Sequence, residues 1–243
     1  MAKGFFVTGT DTGVGKTIIS ASLICFLNNL GYRTGAMKPI ESGCKIQRFT
    51  GLKTTSTDIL IPNDGMFLKK IANMQEPIDL ITPIRFREPL APFTASKIEG
   101  KSINIGKIKD AFSRLSKKYE LLIVEGIGGL LVPIKKNYYV LDLAKDIGLP
   151  LIVVARPSLG TLNHTMLTVN YAIKEGLRVA GIIMNYNKPP ENTIAEKTNS
   201  DILKKISPIP IIGIFPYLKN MKNKAIEKTV LKILNADTIK YLL

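Results

Sequence analysis

The chain has little of what marks a secreted, a metal-clustered or a membrane protein. Across 243 residues it has two cysteines, Cys25 and Cys44, and a single histidine, His164. Two cysteines make no disulfide framework, and they do not resemble a metal site. With no second histidine, no imidazole cluster can hold a metal. No apolar run reaches the roughly 20 residues needed to cross a bilayer. Met1-Ala2-Lys3-Gly4 leads straight into an apolar segment, without the basic stretch and apolar core of a secretory leader. These absences predict a cytoplasmic location. Acids are also scarce, with 19 Asp and Glu against 34 Lys and Arg, a net charge of +15 and a pI near 9.7. Such a surplus raises nucleic-acid or anionic-membrane binding as a possible role. The lysines are scattered, however, as in Lys69-Lys70, Lys117-Lys118 and Lys204-Lys205, and they do not interleave with aromatics. They read as a solvated surface, with no nucleic-acid and no membrane partner. The same positive field draws in an anionic small molecule.

What is present begins at the first turn. The apolar run Phe5-Phe6-Val7 enters Gly9-Thr10-Asp11-Thr12-Gly13-Val14-Gly15-Lys16-Thr17, and an amphipathic stretch from Ile18 to Leu30 leaves it. Strand, glycine-rich loop and helix opening at Lys-Thr form the context of a phosphate-binding P-loop. Gly13 and Gly15 let the backbone wrap an anion with its N–H groups inward. The helix N-terminus adds the positive end of its dipole. Lys16 supplies a charge for the β- and γ-phosphates, and the Thr17 hydroxyl is a Mg²⁺ ligand. The consensus G-x-x-x-x-G-K-[ST] asks for glycine at position 10. Thr10 stands there, and Gly9 comes one residue early.

Further along, short apolar runs alternate with helical patterns. Strands are expected at Lys3 to Thr8, Thr34 to Lys38, Asp79 to Phe86, Tyr119 to Val124, Pro150 to Ala155, Val179 to Met184 and Pro210 to Phe215. Gln47 to Thr57 reads as a polar loop. Short apolar strands with helices between them predict a three-layer α/β/α sandwich around a mostly parallel sheet, of the P-loop NTPase kind. No repeat, linker or break divides residues 1–243, so a single domain is expected. In such a sheet the loops after strand C-termini face the ligand crevice. That places Lys38 and Ser42, after the second strand, where Lys16 points. Glu125 ends another buried strand, where a carboxylate reaches the P-loop metal, and Gly126-Ile127-Gly128-Gly129 follows it. Asp58 suits either a helix N-cap or a Mg²⁺ ligand. Thr161 or Asn163 is placed to cap the helix that opens after Gly160, and His164 beside them reads as structural. Asn185 ends a strand as either an adenine reader, offering a donor and an acceptor together, or a plain turn residue.

Four segments together carry a resemblance. They are Val7 to Thr17, Lys38-Pro39-Ile40-Glu41-Ser42-Gly43, Val124 to Pro133, and Gly160-Thr161-Leu162-Asn163-His164-Thr165. In order and spacing, over residues 3 to 187, the chain resembles the dethiobiotin synthetases, ATP-dependent ring-closing ligases of biotin synthesis. The resemblance implies a homodimer that converts 7,8-diaminononanoate, CO₂ and MgATP into dethiobiotin, ADP and phosphate. It implies Lys16 and Lys38 as the catalytic lysines, and Thr17, Asp58 and Glu125 as the Mg²⁺ ligands. The nucleotide would lie along Gly13, Val14, Gly15, Lys16, Thr17, Ile18, Asp58, Glu125, Gly126, Ile127, Gly128, Asn185 and Tyr186. The substrate would meet Thr12, Ser42, Gly128, Thr161, Leu162 and Asn163, with Asn163 helping to bind its carboxylate across the dimer interface. The segment from Pro216 to Lys219 would line the base pocket, leaving open the choice between ATP and other triphosphates. Phe93 stands where the family carries histidine and is given no role. A partition or cell-division ATPase is the alternative, but Thr10-Asp11-Thr12 occupies the place of that group's second lysine. A cobyrinate-type amidotransferase would need a glutamine-hydrolysing domain for which this length has no room.

Overall fold

The structure is a computed structural model that describes residues 2–49 and 57–243; the side chains of 48, 49, 57 and 58 are outside the description. The first half runs β1 (Gly4–Gly9), α1 (Lys16–Asn29), β2 (Thr34–Met37), β3 (Ile40–Glu41), β4 (Lys45–Phe49), β5 (Thr57–Ile61), α2 (Asn63–Ile71), α3 (Ile78–Ile81), β6 (Ile84–Arg85), α4 (Pro92–Ile98) and α5 (Ile105–Ser116). The second half runs β7 (Leu121–Glu125), β8 (Pro133–Lys135), β9 (Tyr138–Tyr139), α6 (Val140–Ile147), β10 (Leu151–Ala155), α7 (Thr161–Lys174), β11 (Val179–Asn185), α8 (Ile194–Ile206), β12 (Ile211–Phe215), α9 (Asn223–Ile233) and α10 (Ala236–Leu242).

Six strands form the central sheet in the order β12-β11-β10-β1-β7-β2, and every pairing in it is parallel. β1, β7 and β10 are buried along their whole length, which is why Phe5-Phe6-Val7, Leu121 to Val124 and Leu151 to Ala155 read as continuous apolar runs rather than alternating ones. Strand order reverses at β1, between β10 and β7. The crevice beyond the carboxyl ends of these strands is the place where open α/β sheets bind ligands. α1, with Ile19, Leu23, Ile24 and Leu27 wholly buried, packs on β1, β2 and β7 and also meets α9. Among the described residues no helix is long and apolar enough to cross a membrane.

Three local expectations are corrected. Ile78 to Ile81 forms α3 rather than the start of a strand. The turn of helix ends because Thr82 precedes Pro83 and is held extended, at φ −128° and ψ 78°, leaving only Ile84-Arg85 as strand. The stretch expected as a polar loop from Gln47 starts inside an antiparallel hairpin, with Lys45 opposite Ile61 and Gln47 opposite Ile59; residues 50–56 lie outside the described residues. Neither Thr161 nor Asn163 caps α7. The N-cap is Gly160, left-handed at φ +91°, with no side-chain cap, and the Thr161 hydroxyl turns inward to Thr165 at 3.3 Å.

Candidate active site

The β1–α1 loop closes around a cradle of backbone donors. Gly13 (φ +73°) and Gly15 (φ +92°) take left-handed conformations that let the chain double back, and Gly15 caps α1 with no side-chain bond to its first turn. The N–H groups of Val14 and Gly15 donate to nothing among the described residues. Unpaired donors at a helix start are an anion site in waiting. The early glycine is explained by what faces it. A Cβ on Gly9 would stand 2.7 Å from the Asp11 carbonyl, 2.8 Å from Val14 Cγ2 and 3.1 Å from Lys16 Nζ. The front of the loop is held by Asp11, whose carboxylate accepts from the Thr12 N–H at 2.7 Å and meets Arg156 at 3.1 Å.

Lys16 is only 7% exposed, and its ammonium donates to the Asp11 carbonyl at 3.2 Å, with no carboxylate in contact among the described residues. Burial, and then repulsion from Lys38, bring its pKa down to about 8. Lys38 sits beyond the end of β2 and is 4% exposed. Its ammonium meets Glu125 Oε1 at 2.6 Å, the Gly126 carbonyl at 3.1 Å and Asp64 Oδ2 at 3.5 Å. Burial pulls the Lys38 pKa down, but the two carboxylates outweigh it and hold it above the usual lysine value. Glu125, at the end of β7, also accepts from the Thr17 hydroxyl at 2.9 Å.

Glu125 Oε2 is buried and has no hydrogen-bond partner among the described residues. A carboxylate oxygen left without a donor costs on the order of 1–3 kcal/mol, and a hard cation satisfies it. Together with the Thr17 hydroxyl, the donor set is all oxygen and fits Mg²⁺. No group of three or more His, Cys, Asp or Glu among the described residues is arranged to hold a metal. A Mg²⁺ ion here would share its shell with phosphate oxygens and water, which is its usual habit in nucleotide sites.

The acid predicted beside this pair was Asp58. Its side chain lies outside the described residues. Sequence reading missed Asp64, which lines the cleft at the start of α2 beside Lys38. It also missed why Asp64 is there. Glu41, 5% exposed, accepts from the backbone N–H groups of Asp64 at 3.0 Å and Gly65 at 2.9 Å and so pins the start of α2 against β3. Gly65 also lets α2 pack on Thr82, because a Cβ there would collide with the Thr82 hydroxyl at 2.0 Å. A buried acid ahead of the turn Ser42-Gly43 was the available signal.

Lys16, Thr17, Lys38 and Glu125 open on one cleft of about 550 Å³. Thr12, Gly13, Gly15, Ile18, Ser42, Ile127, Gly128, Asn185 and Tyr186, all named as candidates from the sequence, also line it, as do Pro216, Tyr217 and Leu218. Val14 lies beneath the loop with its side chain buried, and Gly126 contributes its carbonyl to Lys38. Thr161, Leu162 and Asn163 do not line this cleft. Thr161 is buried, Leu162 half-buried and Asn163 exposed at the start of α7.

Fold and site together define a P-loop nucleotide-binding domain. A family model described as an AAA domain matches residues 3–225. Solved structures with this fold include the MinC:MinD cell division protein complex of Aquifex aeolicus, with a TM-score of 0.56 at 14% identity over 99% of this chain and 96% of that one. A ParA family ATPase from Chlorobium tepidum gives 0.53 at 16% identity over 99% and 93%. At such identities the likeness is one of fold alone. Curated relatives go further. The ATP-dependent dethiobiotin synthetase BioD of Thermodesulfovibrio yellowstonii is 44% identical over 98% of this chain and 99% of its own length. The protein of that name from Bacillus subtilis strain 168 is 41% identical over 92% and 91%. The chain belongs to the ATP-dependent dethiobiotin synthetases.

Proposed function

We infer that this chain is an ATP-dependent ligase that makes dethiobiotin in biotin biosynthesis, working as one synthetase unit on 7,8-diaminononanoate and CO₂. The observation that supports this best is the pairing of a buried cation that touches no carboxylate among the described residues, Lys16, with one that does, Lys38, in a single cleft headed by backbone donors without partners among those residues. Phosphoryl transfer asks for little else than position and charge.

In this reading one substrate amine adds to CO₂ and loses a proton, giving a carbamate. The carbamate oxygen takes the γ-phosphoryl group of ATP, and ADP leaves. The second amine then attacks the carbonyl carbon, expels phosphate and closes the cyclic urea. Lys16 neutralises the β- and γ-phosphates. Lys38, fixed by Glu125, holds positive charge where the carbamate oxygen and γ-phosphate meet. Val14 and Gly15 donate backbone N–H groups to the phosphates. Thr12, Ser42 and Gly128 face the substrate. Thr17 and Glu125 would hold Mg²⁺, with Asp64 rather than Asp58 as the further acid beside them. Bound there, the ion supplies charge neutralisation across the phosphates.

Thr161, Leu162 and Asn163 serve the neighbouring subunit of a cytoplasmic homodimer. Support comes from the surface beside them: Leu159 is 87% and Leu167 62% exposed, and Leu167 follows Asn163 by one turn of α7. Sedimentation should give twice the monomer mass, and a monomer would remove these three residues from the site.

The deciding experiment incubates the protein with MgATP, bicarbonate and 7,8-diaminononanoate and looks for dethiobiotin by mass. Product that depends on all three is expected. ATP binding without product would leave a nucleotide-binding fold and overturn the reaction.

A further inference from the structure

The phosphate loop is held by two side-chain amides at the end of β11. At the end of β11, Asn185 is 2% exposed, and its Nδ2 donates to the Val14 carbonyl at 2.9 Å. A carbonyl only accepts, so the amide nitrogen must face it. Two residues on, Asn187 Nδ2 donates to the Gly13 carbonyl at 2.5 Å. These two carbonyls belong to consecutive peptides. A trans peptide is planar, with C=O and N–H pointing opposite ways. Pulling the Gly13 and Val14 carbonyls toward β11 therefore turns the N–H groups of Val14 and Gly15 the other way, into the cleft. Neither of those N–H groups has a partner among the described residues. Sterics agree: a Cβ on Gly15 would lie 2.1 Å from Asn185 Nδ2, so this glycine is needed for the amide as well as for its left-handed φ of +92°.

The same turn of chain floors the far end of the cleft, where Asn185, Tyr186 and Asn187 face Pro216, Tyr217 and Leu218. Tyr186 N–H bonds the Phe215 carbonyl at 3.0 Å and ties that turn to β12. One short segment thus touches both ends of the site.

We propose that Asn185 and Asn187 are positioning residues that clamp the phosphate loop by its Gly13 and Val14 carbonyls, so that phosphate binding depends on them whether or not a base is present. The proposal rests on the reading of the loop as a phosphate cradle. A residue that merely reads a base and a residue that sets the loop are separated by a ligand with no base. Inorganic tripolyphosphate, with Mg²⁺, is that probe, and binding is measured by titration calorimetry on the full chain beside MgATP.

Asn187→Ala is the primary variant because Asn187 is only half-buried, at a bend after β11; Asn185→Ala is the second. Each should weaken tripolyphosphate and ATP by the same factor, about 3- to 10-fold, as expected for losing one hydrogen bond that fixes a donor. The double variant should lose roughly the product of the two, with the ligand-free melting temperature of Asn187→Ala unchanged. Weaker ATP with unchanged tripolyphosphate, in both variants, would overturn the clamp and leave only base reading. A wild-type chain that binds ATP but no tripolyphosphate would also overturn it. A wild-type chain that binds neither would overturn the cradle reading along with it.

Discussion

Two buried lysines share one cleft, and their surroundings differ in one respect. At the β1–α1 end Lys16 has a backbone carbonyl and, among the described residues, no carboxylate in contact, and its pKa falls to about 8. At the β2–β7 end Lys38 is locked to Glu125 and faces Asp64, and its pKa rises. A buried cation without a partner is costly, and it is tolerated where a ligand later supplies the anion. A buried cation with a partner is a fixed part of the scaffold. The comparison assigns the mobile charge balance to Lys16 and the permanent one to Lys38.

The sharpest way to break this contrast is Lys38→Ala. It leaves the Glu125 carboxylate, 1% exposed, without its cation, and should cost about 3–5 kcal/mol of stability in denaturant titration. Adding Glu125→Gln should recover much of that loss, and a lack of recovery would mean that the pair is not what stabilises this edge. Lys16→Ala works in the opposite sense. It removes an uncompensated charge, so stability should hold or rise slightly, while turnover falls by about 10²- to 10³-fold. A destabilised Lys16→Ala with normal turnover would reverse the two roles.

The pH dependence sharpens the same point. Lys16 releases its proton near pH 8 in the fold and near 10.5 when unfolded. Between these values the unfolded chain binds more protons, so the Lys16 contribution to stability rises with pH. Lys38, with its raised pKa, stays charged over most of that window. Nucleotide affinity should move the other way and fall above pH 8, approaching tenfold per pH unit, because phosphate needs the charged form. Flat affinity from pH 7 to 9.5 would place the neutralising charge elsewhere. The smallest effect is expected from Asp64→Asn. Asp64 is 43% exposed on its side chain and lies 3.5 Å from Lys38, and its loss should raise the Mg²⁺ concentration for half-maximal rate a few-fold. An unchanged Mg²⁺ curve would leave Asp64 as a partner of Lys38 alone.

The sequence disclosed the sheet and the phosphate end of the site because both are written in contiguous residues. Apolar runs of five or six residues are strands when both faces are covered, and Gly-Val-Gly-Lys-Thr keeps its meaning wherever the chain goes. What stayed hidden depends on residues far apart. Asp58, expected as the further Mg²⁺ ligand, has its side chain outside the described residues, while Asp64 beside Lys38 went unread because it reaches the cleft only through Glu41, 23 residues earlier, which grips the start of α2. Asn185 was legible as a polar residue after a strand, but its hold on the loop at Val14, 171 residues earlier, was not. The hairpin of β4 and β5 was missed because Lys45, Gln47 and Arg48 interrupt the apolar residues of β4, and Ile59-Leu60-Ile61 of β5 is too short a run to read alone. The helix at Ile78 was missed because four residues make too short a period to read.

The position of β1 in the middle of the sheet bears on how the protein is made. Phe6 pairs with Val124 on one side and with Leu151 on the other. Ribosomes add about 5–20 residues per second, so β1 waits on the order of ten seconds for its first neighbour and longer for its second. Throughout that interval Phe5, Phe6 and Val7 have both strand edges open, and the lysine that will meet nucleotide hangs from an unformed loop. A nascent chain stalled before Leu121 would carry an unpaired apolar strand and no working cradle, which makes this window the one in which chaperone protection matters most.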